Sequence, residues 1–447
     1  MALKIFNALN SQKEKFKPLS DTRVEMYVCG PTVYDYDHIG HARTFTVFDM
    51  MRRYFLSHGY KVKFVQNITD VGHLVDDAEE GEDKIEKKAR EEKKSPEQIS
   101  RFFTREHFKD MKALNVLKPD YSPRASLHIP EIIDFISDLI KKGFAYISNG
   151  NVYFDIGKMP DYGKLSGRSF GEMRAGARVD VDRAKRDPSD FALWLKADEK
   201  HLQKWDSPWG KGYPGWHIEC SVLSTKYLGD EIDIHGAANE LKFPHHENER
   251  AQNNARFGRE VINNWVYAGM VMIDGQKMSK SKGNFVRVRD ALKKYDLNIL
   301  RVAFLSTHYK QPFDYKEETL DQAQEIVGRM VRAKDESKEN KGDDAAIKKF
   351  DAVMEDDFNT PQALKVWLDN LSDLDWDDFE YFERVFGLDL DMYTSKVDPE
   401  LQKLIDKRND ARAKKDWDTA DKIRHTLEEE GYVLDDTKNG TKIYKMR

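Results

Sequence analysis

Apolar residues at the start of the chain fall into short runs and one helical stripe. From Glu25, EMYVCG reads as a buried strand, and PTVYDYDHIG as the loop leading into a helix at HARTFTVFDMMRRYFLSHG. Within that helix Phe45, Phe48, Met51, Arg52 and Phe55 give a mostly apolar stripe at i, i+3 spacing, closed by Gly59. KVKFVQNITDV reads as a second strand. Strand, helix and strand in this order predict half of a doubly wound sheet. Residues 76–98 are then almost solidly charged, which predicts a solvated surface helix rather than a functional acidic patch.

Between about 117 and 215 the pattern is interrupted by a helix (IPEIIDFISDLIKKG), strand-like stretches (FAYIS, NVYFDI) and many turn residues. This stretch reads as an insertion between two halves. The second half resumes at GWHIECSVLSTKYLG, with a strand EIDIHG, a helix opening at FPHHENERAQNNA and a strand NWVYAGMVMID. Beyond about 310 the texture is helical and acid-rich, with a linker expected at KDESKENKGDD. A helical pattern is then broken at Asn359-Thr360-Pro361, a stop followed by an N-cap and a proline restart. From Pro399 a pair of amphipathic helices precedes short strands YVLDD and TKIYK around the hairpin turn Asn439-Gly440. The fold class is therefore α/β. A Rossmann-type catalytic domain is expected over 1–310 with its insertion at about 117–215, a helical bundle over 311–398, and a small unit over 399–447.

The 447 residues are too many for one core, which agrees with that division. Hydrophobic residues at 39% and charged residues at 34% describe a highly charged globular protein. No apolar run approaches a membrane span, and the start MALKIFNALN lacks the regions of a signal peptide. Two cysteines argue against a disulfide scaffold and for a reducing compartment, so a cytoplasmic location is expected. A net charge of −6 gives no global nucleic-acid signature, so any RNA contact must be local. No obvious coiled coil demands a dimer, and a monomer is expected.

Two segments carry candidate chemistry. His38-Ile39-Gly40-His41 puts two imidazoles at a glycine turn where a helix begins, a place suited to phosphate. Lys277-Met278-Ser279-Lys280-Ser281 puts two lysines on a loop flanked by Gly275 and Gly283. Splitting a triphosphate between its α- and β-phosphates needs such donors where charge develops. Read singly, the first is an incidental histidine pair and the second a solvated basic turn; jointly, in this order, they indicate an adenylating enzyme. Cys29 ends the first strand and Cys220 lies in the second half, so a two-halved sheet could join them at its carboxyl edge. His245 and Glu249, four apart, share a helix face. These four are acceptable zinc ligands. Against that stand two small buried cysteines, a helix surface pair, and His217, His235 and His246 as competing ligands. Trp216, within GYPGW, is either core or a pocket wall.

Together MYVCGPTVYDYDHIGHARTFTVFD, NITDVGHL, GWHIECSVLS, IHGAANELKFPHHENERAQ and KMSKSKGN resemble the cysteinyl-tRNA synthetases, a family of class I aminoacyl-tRNA synthetases. DFNTPQAL and the closing DARAKKDWDTADKIRHTLEEEGYVLDDTKNGT extend the resemblance over nearly the whole chain. It implies one zinc ion at Cys29, Cys220, His245 and Glu249, with the substrate thiolate as an added ligand. It implies that Lys280 and the two histidines with Gly40 serve Mg-ATP, that Lys277 belongs to the same catalytic loop, and that Gly30, Thr69 and Trp216 line the amino-acid pocket. L-cysteine, ATP and tRNA(Cys) are the implied partners, joined through a cysteinyl-adenylate. A metal pocket would select a thiol without an editing domain, where packing alone separates cysteine from serine poorly. Two departures stand out. The family commonly has a more Gly-rich run ending in Asp where this chain has Gly236-Ala237-Ala238-Asn239-Glu240; Glu240 keeps the charge, toward ribose or amino group, but reaches farther. Gly440-Thr441-Lys442-Ile443 lacks a tryptophan often found at its last position, leaving Arg412, Lys414, Trp417 and Arg424 as candidates for RNA phosphate contact and stacking. Two rivals are a ligase joining cysteine to an amine on a sugar, which would not need residues 399–447, and a silent RNA-binding scaffold, which would not need the signature residues.

Overall fold

The computed structural model describes residues 2–74, 81–168, 184–278, 283–337, 340, 342, 344–393, 399–437 and 440–445. Its centre is a four-stranded parallel sheet of β1 (Arg23–Val28), β2 (Lys61–Gln66), β3 (Ile232–Ala238) and β4 (Ile262–Ala268), in the order β2-β1-β3-β4. The chain winds outward from β1 to β2, returns to the other side of β1 as β3, and winds outward again to β4. Strand order therefore reverses between β1 and β3, and a crevice opens at their carboxyl ends.

Side-chain alternation along β1 settles which residues face which helix. Met26 and Val28 join the core of α1 (Ile39–Ser57), with Phe45 and Phe48, while Tyr27 and Cys29 join that of α2 (Trp216–Leu228), with Cys220 and Leu223. Where α1 crosses β3 a glycine is required: a Cβ on Gly236 would meet the Phe48 ring at 2.2 Å. The third helix of this core, α3 (His245–Phe257), is buried although its sequence, HHENERAQNNARF, is almost wholly polar. Several of its polar groups are partnered, although both polar atoms of the Asn253 side chain are buried without a hydrogen bond. Ser166 N–H donates to Glu247, the Tyr162 hydroxyl to Asn248 and Ser221 to Gln252, and Arg250 donates to Asp161 and Glu260.

The inserted region carries the helix Ile129–Lys141 and an antiparallel sheet of Ala145–Ser148, Asn151–Phe154, Phe191–Lys196 and Gly212–Pro214. The last strand leads directly into α2. Helices Glu317–Glu336, Asp344–Met354, Thr360–Asp369 and Trp376–Phe386 follow the nucleotide-type core, and the Asn359 side chain caps the third of them with Pro361 in its first turn. Arg301 binds this part to α1: its guanidinium reaches Asp49, the Leu114 carbonyl and the Phe386 carbonyl while fully buried. At the end, Pro399–Ala413 and Trp417–Glu429 pack on the hairpin Tyr432–Thr437 and Gly440–Lys445, and Asn439 of the expected turn lies outside the described residues. Ile443 is buried there among Leu401, Ile405, Leu427 and Leu434. Among the described residues no helix is long and apolar enough to cross a membrane.

Three expectations change. The strand NWVYAGMVMID is two: β4 ends at Ala268, and Val271–Ile273 pairs instead with Phe313–Tyr315. Gly269 makes the break, since its N–H donates to Tyr309 O and a Cβ there would sit 2.2 Å from Gln311 O. The charged segment 76–98 is not a solvated helix throughout. Of its described part, Lys84–Glu92 is helical and buries Ile85, Glu86 and Ala89, and the Glu86 carboxylate accepts from Leu202 and Gln203 N–H. The linker expected at KDESKENKGDD begins as helix, because Lys334 is buried and bridges Glu383 and Asp391 at 2.7 Å each.

Replacing Gly236→Ala should lower stability by about 1–3 kcal/mol through overpacking against Phe48. The double replacement with Phe48→Leu should recover part of that loss, both read from urea unfolding midpoints.

Candidate functional site

The first signature segment sits at the crevice where strand order reverses. His38 is the N-cap of α1, and its Nδ1 accepts the His41 N–H at 3.3 Å. A neutral His38 ring therefore carries its hydrogen on Nε2. Glycine at position 40 permits this cap, since a Cβ there would lie 2.9 Å from His38 Nδ1. The His38 and His41 rings stack at 3.7 Å. His41 Nδ1 lies 2.8 Å from one oxygen of buried Asp37, and His107 Nδ1 lies 2.6 Å from the other. Burial works against the Asp37 carboxylate, but the two imidazoles outweigh it and hold its pKa well below the ordinary range.

The stretch that follows the second segment meets the first through backbone. Ile39 N–H donates to Val286 O at 2.9 Å, and Val288 N–H donates to Asp37 O at 3.0 Å. Phe285 stands edge-on to the His38 ring at 5.2 Å. Lys277 is exposed on the short strand Gln276–Lys277, whereas Ser279, Lys280 and Ser281 lie outside the described residues. A cavity of about 580 Å³ is lined by residues of both segments, His38, Gly40, His41, Lys277 and Met278, together with Cys29, Gly30, Trp216 and Glu240.

At the end of β1 the cavity meets a buried cluster of metal-binding side chains. Cys29, Cys220, His245 and Glu249 have one donor atom each within 4.8 Å of the others, and so do Cys29, His235, His246 and Glu249. The two sulfurs are 3.9 Å apart. His217 Nδ1 lies 2.9 Å from His245 Nδ1, which leaves His245 Nε2 aimed at Glu249 Oε1, 3.0 Å away. The other Glu249 oxygen is held by His235 Nε2 at 2.8 Å. His246 is spanned between the Tyr267 hydroxyl on Nδ1 and Cys29 Sγ, at 2.9 and 3.2 Å. Burial opposes charge throughout, yet His235, His245 and His246 hold the Glu249 carboxyl well below its ordinary range. Against the same burial, Glu249 and Cys29 push His245 up to about 10. The thiols divide: burial and the neighbouring sulfur push Cys220 up, while the Cys220 hydrogen bond and His246 overcome burial and bring Cys29 down. Two sulfurs, an imidazole and a carboxylate within bonding reach suit zinc, and soft donors of this kind disfavour magnesium and calcium.

The other residues singled out in the sequence surround this centre. Gly30 closes on the next strand so tightly that a Cβ would meet Asn67 O at 1.7 Å, and its N–H donates to the Asn67 side chain at 2.8 Å. Thr69 is buried behind it, donating to Glu219 Oε1 at 2.8 Å. Half-buried Trp216 stacks on His73 at 3.8 Å and lies 4.4 Å from the His245 ring. Glu240 is exposed in the turn Asn239–Lys242 beside the cavity. In the C-terminal unit Arg412 pairs with Asp436, Arg424 lies 3.6 Å from Glu428, and Trp417 is 56% exposed. Sequence reasoning missed Asp37, His73, His107, Glu219 and Tyr267. Polar residues at core-facing spacing were the available signal for His107, which lies with Phe103 and Asp110 on the buried face of Pro96–Ala113.

Asp37→Asn should destabilise the protein by about 2 kcal/mol or more at pH 7, because charged hydrogen bonds to buried His107 and half-buried His41 are lost. A carboxylate whose folded pKa is depressed stabilises above its unfolded value and loses that contribution as pH falls through the folded one. The gap between the variant and the unsubstituted protein in urea midpoint should therefore begin to close below about pH 4.

Comparison with known proteins agrees with this architecture. Residues 15–325 match the family described as tRNA synthetases class I (C) catalytic domain, and residues 394–443 match the cysteinyl-tRNA ligase anticodon binding domain. The cysteine–tRNA ligase of Chlorobium chlorochromatii is 42% identical, with 98% of each chain covered. That of Thermococcus gammatolerans is 43% identical, covering 99% of this chain and 98% of its own. In fold alone, the chain is similar to Mycobacterium tuberculosis methionyl-tRNA synthetase in complex with methionyl-adenylate (TM-score 0.56, 13% identity, 82% of each chain). It is likewise similar to an Agrobacterium radiobacter LeuRS in a ternary complex with tRNA and LeuAMS (TM-score 0.59, 11% identity, 83% and 84% covered). The chain belongs to the cysteine–tRNA ligase family of class I aminoacyl-tRNA synthetases.

Proposed function

We infer that this protein ligates L-cysteine to tRNA(Cys) at the expense of ATP, and that Cys29, Cys220, His245 and Glu249 hold one zinc ion that selects the substrate thiol. The observation that carries the reading is the approach of those four donors within 4.8 Å beside a cavity that both signature segments line. Of the two overlapping donor sets this one has both sulfurs, and His217 and His235 orient its imidazole and carboxylate from behind. Zinc bound there would favour a thiolate over a neutral hydroxyl, which gives cysteine a margin over serine that packing does not supply.

The chain's own residues then have defined tasks. Gly30 and Trp216 shape the pocket for the amino acid, with Thr69 setting its back wall, and Glu240 reaches toward the ribose or amino group from the rim. The cysteine carboxylate attacks the α-phosphorus of Mg-ATP, the α–β bridging P–O bond breaks, and pyrophosphate leaves. His38 offers Nε2–H to that charge, His41 is held by Asp37 beside it, and the lysines of the second motif, Lys277 and Lys280, supply positive charge. A ribose hydroxyl at the end of the tRNA then takes the acyl group and AMP departs. Positioning and charge stabilisation suffice, so no side-chain nucleophile is needed.

Residues 1–310 would form the catalytic domain with its insertion at about 117–215, 311–398 the helical stem, and 399–447 the anticodon-binding unit of a cytoplasmic monomer. The match of residues 394–443 to an anticodon-binding domain supports a tRNA rather than a sugar amine as acceptor. Purified protein should contain one zinc per chain and exchange pyrophosphate into ATP only with cysteine present. Exchange without cysteine, or protein active without metal, would overturn the zinc-selection account. Cys220→Ser should raise KM for cysteine at least tenfold more than KM for ATP in that assay; equal losses would mean a folding defect.

A further inference from the structure

Helix Pro96–Ala113 separates its charges by face. Two of its three acids, Glu106 and Asp110, are buried and accept from Arg289 at 3.3 and 3.0 Å, on the same side His107 holds Asp37, and the third, Glu97, is exposed. Through these contacts the inner face is fastened to the turn that carries His38 and His41, and to the segment after the lysine loop. Its cations Arg101, Arg105, Lys109 and Lys112 follow i, i+4, i+8 and i+11 and are all exposed. With Arg124 and Phe108 they line a groove of about 470 Å³ that has no acid in its lining.

A stripe of cations spanning about 16 Å of helix fits a run of phosphates better than a single anion. Of the pairs the groove residues make, Arg101 with Glu97 at 2.7 Å is exposed and displaceable, Lys109 and Arg105 reach buried Glu106 at 2.7 and 3.6 Å, and Arg124 binds buried Asp70 at 2.8 Å. Lys112 makes no ion pair among the described residues. Such a concentration contrasts with the net charge of −6 for the chain. We propose that this groove seats the phosphodiester backbone of the tRNA arm that delivers its 3′ end to the active-site cavity. The proposal rests on the ligase reading. The groove and the contacts that fix the signature turn lie on opposite faces of this one helix, about 10–12 Å across.

The test uses the full chain carrying Arg105→Gln and Lys112→Gln, assayed for tRNA charging across a salt series and for cysteine-dependent pyrophosphate exchange. KM for tRNA should rise about tenfold at low salt. The log–log salt dependence should flatten by about two, with exchange unchanged. Glu97→Gln, which releases Arg101, should shift KM for tRNA the opposite way. An unchanged KM and salt slope would overturn the groove, as would a parallel fall in exchange. Normal exchange but no tRNA charging by the unsubstituted protein would instead overturn the ligase reading.

Discussion

The parallel pairing of β1 with β3 is the constraint on which the active centre depends. Cys29, one residue beyond β1, donates its N–H to Gly236 O at 3.0 Å, so the two halves of the chain are joined at the residue that also supplies a sulfur. Strand order reverses here, and a reversal leaves the carboxyl ends of two neighbouring strands uncovered by a crossover helix. The period of two along β1 turns Cys29 toward α2, and that helix presents Cys220. Slippage by one residue would send Cys29 to the α1 face and remove the metal cluster.

Burying such a centre is costly, and the structure offsets the cost with polar groups in depth. Four histidines, a carboxylate, a tyrosine and two sulfurs share partners around Glu249, and each imidazole has a nitrogen directed at a named group. Helix α3 brings several of them in as a buried polar helix, which is stable only because residues from the insertion and from α2 meet its side chains. The insertion thus helps to support the site.

The end of the cavity at the signature turn uses backbone instead. The signature turn and the segment beyond the lysine loop exchange main-chain hydrogen bonds, and the turn is braced from behind by Asp37 and His107. Two motifs separated by more than two hundred residues are in this way built into one wall. The two bonds that hold them together, Ile39 to Val286 and Val288 to Asp37, are main-chain and depend on no side chain.

The sequence by itself determined the strand–helix–strand core, the N-cap and proline restart near Pro361, the helix pair at the end, and the family to which the chain belongs. Those features are local: the 3.6 and 2.0 periodicities, glycine and proline placement, and signature motifs are carried by neighbouring residues. Only tertiary structure decided which of Lys84–Glu92 is buried, that Lys334 belongs to a helix, that Gly269 splits a strand, and that Asp37 and His107 complete the histidine turn. Each of these rests on a partner distant in sequence, such as Leu202 for Glu86 or Gln311 O for Gly269. The orientation of His245 and its neighbouring imidazoles likewise needed three dimensions. Spacing placed His245 with Glu249, but the direction of each ring nitrogen is set by the hydrogen bond made at the other one.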